Sequence, residues 1–149
     1  MRTDAIEMLK EDHRIVRELF EELEELSDDA PRQPVFDRLR DELLAHAFVE
    51  ETVFYTALTQ FDSLADLLDD SFEDHREMKD VLLEIEEVGV GSDEFLDQIE
   101  DLRDLVEEHV DIEEAELFPY ARDVLPEDEY ARLGQLLADA RDGAKKQAA

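Results

Sequence analysis

The chain has 149 residues, 43% of them hydrophobic and 40% charged, with 45 acidic side chains against 15 basic ones and a formal net charge of -30. That length supports one hydrophobic core and is short for two, and a charge of that sign and size repels nucleic acid and anionic membranes alike. The absence of cysteine excludes disulfides, thiolate nucleophiles and Cys-based zinc or iron–sulfur sites, so any metal has to be held by nitrogen and oxygen.

The first helix is predicted over about residues 4–27, with Asp4 and Glu7 as its capping box and Ile6, Leu9, His13, Val16, Phe20 and Leu23 on one face. Ser27 to Pro34 reads as a turn, and a second helix over about 34–60 carries Leu39, Leu43, His46, Glu50, Val53 and Ala57 on one face. Asp62 or Ser63 is expected to cap a third helix over about 63–88, whose inner face holds Leu64, Leu68, Phe72, His75, Leu82 and Ile85 and which Gly89-Val90-Gly91 stops. Ser92 caps a fourth over about 93–124 with Phe95, Ile99, Leu102, Val106, His109, Glu113 and Leu117 aligned, and Pro119 is expected to kink or shorten its last turns. Pro126 opens a short fifth helix over about 126–142 bearing Tyr130, Leu133, Leu136 and Leu137, with a frayed tail after Gly143. The apolar face of this helix serves either to cap the bundle or to mediate dimerisation.

No segment alternates with period two, so the chain is all-α: a single domain over 1–149, an up-down-up-down four-helix bundle with a short C-terminal fifth helix. No apolar stretch approaches the length of a signal or membrane segment, and a cytoplasmic location is expected. Only four of the basic residues are lysine (Lys10, Lys79, Lys145, Lys146), a bias that with so many carboxylates resembles proteins adapted to high salt.

Two duplicated patterns use every histidine. Glu11-Asp12-His13-Arg14 recurs as Glu73-Asp74-His75-Arg76, and His46-x-x-x-Glu50-Glu51 recurs as His109-x-x-x-Glu113-Glu114. Residues four apart share a helix face, so each His–Glu pair can aim two donors at one place. Counting from the predicted turns puts the four histidines at similar depth, roughly 20 Å along each helix for His13 and His46 at 1.5 Å per residue. Six polar groups in one apolar layer need partners, and metal ions supply them: two bridging carboxylates with the imidazoles divided two and two, leaving room for an oxo or hydroxo bridge and an open position. The metal-free alternative is a buried His–Glu hydrogen-bond layer. Glu51 and Glu114 lie well round the helix and are expected in solvent, with contact to a histidine as the alternative; Tyr55 and Tyr120 are expected in aromatic packing, with a hydrogen bond to the site as the alternative.

These features together resemble the hemerythrin-like (HHE cation-binding) family over about residues 4–140. The resemblance is carried by His13, the segment from His46 through Glu50 and Glu51 to Tyr55, His75, and the segment from His109 through Glu113 and Glu114 to Pro119. It implies a non-heme di-iron centre, oxo- or hydroxo-bridged, in a four-helix bundle, with Glu50 and Glu113 as bridges and His13, His46, His75 and His109 as terminal ligands. Oxygen-carrying members place a further histidine four residues after the third-helix ligand, where this chain has Lys79. A protonated lysine cannot ligate, so the arrangement becomes a symmetric pair of two-histidine sites, and the expectation moves from oxygen carriage toward iron or oxygen sensing, storage, redox buffering and reactions with peroxide or NO. Lys79 itself is expected on the helix surface, or beside the site facing a bound anion.

The function expected is thus a cytoplasmic di-iron protein that binds O2 or a related small ligand, with iron suited to the donor set ahead of manganese or zinc. A binding protein is expected rather than an enzyme. The rivals are a di-iron ferroxidase or peroxide-reducing enzyme, and a metal-free acidic helical interaction module.

Overall fold

Asp4 opens the first helix: its Oδ1 accepts hydrogen bonds from the backbone N–H groups of Ile6 (2.8 Å) and Glu7 (3.3 Å), two of the donors that a helix start leaves open. In the computed structural model, which describes residues 4–26 and 31–148, Ser27 to Ala30 of the predicted first turn lie outside the described residues. Helix α1 spans Ala5–Glu25 and α2 spans Gln33–Val49, followed by a π-helical turn at Glu50–Phe54 and α3 at Tyr55–Leu58. A 3₁₀ turn at Asp62–Leu64 leads into α4, Ala65–Val88; α5, Phe95–Ile112, runs through a second π-helical turn at Glu113–Leu117 into α6, Phe118–Val124, and α7 covers Glu127–Ala148. The described residues are all helix and connection, without a strand.

Each π turn starts at the glutamate of a His-x-x-x-Glu pattern. The Tyr55 N–H bonds the Glu50 carbonyl and the Phe118 N–H bonds the Glu113 carbonyl, each five residues back instead of four. The helices read as continuous over 34–60 and 93–124 are therefore interrupted, and not by Pro119. That proline sits in the first turn of α6, where a missing N–H is tolerated, and the same interruption occurs after Glu50, where Thr56 holds the equivalent place. There the Thr56 hydroxyl donates to the Glu51 carbonyl at 2.9 Å, satisfying an acceptor in the widened turn.

The end of α4 follows expectation. Gly89, at φ +92°, turns the chain while its N–H bonds the Ile85 carbonyl at 2.8 Å. Its start does not: neither Asp62 nor Ser63 makes a side-chain cap, because the 3₁₀ turn supplies the entry. The hydroxyl of Ser92 accepts from the Glu94 N–H at 3.1 Å just before α5.

The fifth helix is not short. It continues six residues past the predicted end, through Gly143 to Ala148, because Ala, Lys and Gln are strong helix formers and one glycine costs only about 1 kcal/mol in a helix interior. It lies against α1, α2 and the first π turn. Tyr130, Leu133 and Leu137 are buried there, whereas Leu136 is 40% exposed, so the apolar face of α7 covers its own bundle.

Helices α1 and α2 pack together, as do α4 and α5, and contacts of α1 with α5 and of α2 with α4 close the ring of four. The core inside that ring falls into two clusters. One gathers Val16, Phe20, Phe36, Leu39, Ile85, Phe95 and Ile99; the other gathers Ile6, Leu9, Phe54, Leu58, Leu64, Phe118 and Leu137. Each such side chain contributes roughly 1.5–3 kcal/mol by leaving water. Between the clusters lies the layer that holds the histidines. The outer residues of the repeated tetrapeptides pair on the surface, Arg14 with Glu11 and Arg76 with Glu73, so only their Asp and His turn inward. Among the described residues no helix is long and apolar enough to cross a membrane.

Candidate metal centre

All six residues singled out from the sequence meet in the dividing layer. His13, His46, His75 and His109 are buried, and Glu50 and Glu113, each at the first position of a π turn, are fully so. The ring Nε2 atoms face inward: His13 Nε2 is 3.1 Å from Glu113 Oε1, His46 Nε2 is 3.0 Å from Glu50 Oε1, and His75 Nε2 is 3.1 Å from the same Glu50 oxygen. His109 Nε2 stands 3.4 Å from Glu113 Oε1 and 3.8 Å from Glu50 Oε1, and His13 and His46 bring their Nε2 atoms within 3.2 Å of each other. Two groups of donors result, each within 4.8 Å: His13, His46, Glu50 and Glu113 in one, and Glu50, His75 and His109 in the other.

The outer nitrogens face a ring of four carboxylates, three of which bond them. Asp12 of α1 takes His46 Nδ1 at 2.9 Å, Asp74 of α4 takes His109 Nδ1 at 3.1 Å, and Glu114 takes His13 Nδ1 at 2.8 Å. Glu51 faces His75 Nδ1 at 3.6 Å, an ion-pair separation too long for a hydrogen bond. Each carboxylate neighbours one centre residue in sequence and reaches toward a histidine of the next helix, and the three hydrogen bonds fix the rings of His46, His109 and His13 with Nε2 turned inward. Glu51 and Glu114 are therefore not solvent residues, as their angular position suggested, but partly covered partners of His75 and His13.

Tyr55 combines its expected aromatic packing with the alternative hydrogen bond. Besides packing on His75, with ring centroids 5.5 Å apart, its hydroxyl donates to Glu113 Oε2 at 2.6 Å. In the second repeat Phe118 takes the matching position and stacks on His13 at 5.8 Å, with no hydroxyl to give. Tyr120 is 36% exposed and bonds Ser63 at the surface. Lys79 stands at the rim, its Nζ 3.3 Å from Glu51 Oε2.

Electrostatics follow from burial among opposite charges. Burial works against charging His109, but the carboxylates of Glu113, Asp74 and Glu50 outweigh it and raise the imidazole to about 10. Burial likewise opposes charging His46 and His75, yet Glu50 and Asp12 carry the first well above its ordinary value, and Glu50 and Glu51 raise the second. Burial lifts both carboxyls; contacts with His46, Glu113 and His109 then pull Glu50 well below the usual range, while the Glu50 charge holds Glu113 above it. Burial and the two glutamates push Tyr55 up, so it stays a neutral donor.

The donor set fits a metal by a direct test. Glu50 Oε2 is buried without a hydrogen-bond partner, and Glu113 Oε1 meets His13 and His109 at 3.1 and 3.4 Å without hydrogen-bond geometry; a buried carboxylate oxygen left without a bond costs about 1–3 kcal/mol. A cation among the four Nε2 atoms satisfies both. The matching family model is the hemerythrin HHE cation-binding domain, over residues 4–121. The chain belongs to that family. A crystal structure of a hemerythrin HHE cation-binding domain-containing protein from Mycobacterium kansasii superposes with a TM-score of 0.85 at 25% identity, covering 97% of this chain and 88% of that one. A curated Nostoc protein described as a DNA nickase is 33% identical over 119 residues, which is 80% of this chain and 34% of that protein. The chain thus spans about a third of the length of the curated relative it matches. The family's cation-binding character and the His/Glu cluster together support metal binding, with the buried layer as the candidate site.

Asp12 and Asp74 were missed as partners of the site, although both recur beside a histidine in the duplicated pattern, and that repetition is the signal that identifies them; Tyr55 takes the alternative named for it. For Tyr55 the expected outcome of Tyr55→Phe is a metal-free protein less stable by roughly 1.5–3 kcal/mol, the range for a hydrogen bond to a charged group, read from urea melts. An unchanged midpoint contradicts the role of the phenol.

Proposed function

We propose that the chain is a cytoplasmic HHE protein that holds two iron ions in the buried layer and binds O2 or a related small ligand, NO or peroxide, beside them. The observation that carries this reading is the convergence of four Nε2 atoms on two fully buried carboxylates, each with an oxygen that makes no hydrogen bond. In it, His13 and His46 hold one ion, His75 and His109 the other, and Glu50 and Glu113 lie between them in an up-down-up-down bundle. Nitrogen and oxygen donors accept manganese or zinc as well; membership of the hemerythrin family is the reason to propose iron. Iron so held supplies single-electron chemistry and an open coordination position.

The protein's own residues set what reaches that position. A cavity of about 20 Å³ lies against the four histidines and is roofed by Val16, Leu43, Met78, Val106 and Val110. It has room for a single small molecule, and its apolar roof suits a neutral diatomic such as O2 or NO and excludes larger substrates. The DNA-nicking role named for the Nostoc protein is not carried over, because a net charge of -30 opposes approach to a phosphate backbone.

The test combines anaerobic loading with ferrous iron and titration with NO. Saturable spectral change is expected in the native chain, and Val106→Leu, which adds one methylene to the roof, keeps its iron while weakening NO binding at least about tenfold, or 1.4 kcal/mol. Equal NO affinity in both proteins contradicts the assigned pocket. Consumption of added peroxide or iron(II) far beyond the site stoichiometry supports the enzymatic reading instead.

A further inference from the structure

The two halves of the centre are built alike but not supported alike. Asp12 Oδ2 accepts from His46 Nδ1 at 2.9 Å and also from Arg141 Nη2 at 2.6 Å. Its side chain is 3% exposed, and Arg141 comes from α7, beyond the segment that the family model matches. Asp74, the counterpart that holds His109, is 30% exposed and has no cation partner among the described residues. The cation of that half, Lys79, sits at the rim on Glu51 and is 42% exposed, so solvent and salt screen it. The donor groups differ in the same sense, with four residues around His13 and His46 against three around His75 and His109.

Resting on the metal reading above, we infer that Arg141 is a positioning residue for one half of the centre. By fixing Asp12 it locks the His46 ring with Nε2 turned inward, and it makes the His13–His46 position the slower of the two to release its ion. With Asp12 anchored by Arg141, His46 cannot swing away from a metal without breaking a hydrogen bond, either its own to Asp12 or that of Asp12 to Arg141, whereas His109 can move together with the unanchored Asp74. Because the α7 guanidinium touches Asp12 through a single nitrogen, a lysine placed there as a point charge retains much of the effect.

The experiment loads the full chain anaerobically with ferrous iron and follows its release to an excess of a ferrous chelator. The native protein is expected to release two irons in two phases of similar amplitude, and His46→Ala identifies the slow one by removing it. Arg141→Ala is expected to speed the slow phase by roughly 10–100-fold, the range for losing a partner of a metal-bound histidine, with the fast phase unchanged. Arg141→Lys restores most of the slow rate. A single phase in the native chain, equal acceleration of both phases, no acceleration, or failure of lysine to restore the rate overturns the inference while leaving a two-iron site standing. A native chain that takes up fewer than two irons overturns both.

Discussion

Glu50→Ala is expected to empty both halves of the centre, where loss of a single histidine empties one. Glu50 belongs to both donor groups, and its Oε1 lies 3.0 Å from His46 Nε2 and 3.1 Å from His75 Nε2. Removing it takes an oxygen from each position and leaves two buried imidazoles without the carboxylate that now faces them. The loss in metal affinity should exceed the roughly 10–100-fold that removal of an outer partner causes. Iron per chain after a mild chelator wash measures it: near none for Glu50→Ala, against about half the native content for His109→Ala, whose side chain belongs only to the second group. Equal retention in the two variants contradicts the shared placement of Glu50.

The second large effect is on stability against pH. In the metal-free protein the folded chain holds His109 at about 10, after burial is outweighed by Glu113, Asp74 and Glu50, and raises His46 and His75 in the same direction. A histidine whose pKa is raised by folding stabilises the fold fully below its unfolded value of about 6.5, and that contribution is lost as pH rises through the folded pKa. Each unit is about 1.4 kcal/mol, so the metal-free protein is expected to lose several kcal/mol between pH 6.5 and 10. A metal-bound imidazole is already unprotonated. The loaded protein should therefore keep its stability over that window, and loading at neutral pH should release protons. Urea melts of both forms at pH 6.5, 8 and 10 read this directly; parallel curves contradict it.

The histidine layer was legible because a helix converts residue count into depth, and the four histidines and two glutamates occur twice at matched spacing. What surrounds the layer was less so. Five residues along an α-helix is about 140° round the axis, which places Tyr55 away from Glu50; the π turn restores it to that side, and nothing in Glu50-Glu51-Thr52-Val53-Phe54 announces a wider turn. Asp12 and Asp74 escaped, and Glu51 and Glu114 were placed first in solvent, for another reason. These side chains leave the inner face of their own helix and reach the histidine of the next, a contact that periodicity along one helix does not contain. Arg141 lies within the predicted fifth helix, but its salt bridge to Asp12 depends on the docking of α7 across α1 and α2, which that helix's own pattern does not contain.

The measurement that bears most directly on the account is the metal content of the native chain, by elemental analysis with a visible spectrum, on protein purified in high salt and washed with a mild chelator to strip ions from its 45 acidic side chains. The account predicts close to two irons per chain with an oxo-to-iron charge-transfer band. A folded protein that retains no metal, and takes up none on anaerobic reconstitution, contradicts it and makes the His–Glu layer a purely structural hydrogen-bond network.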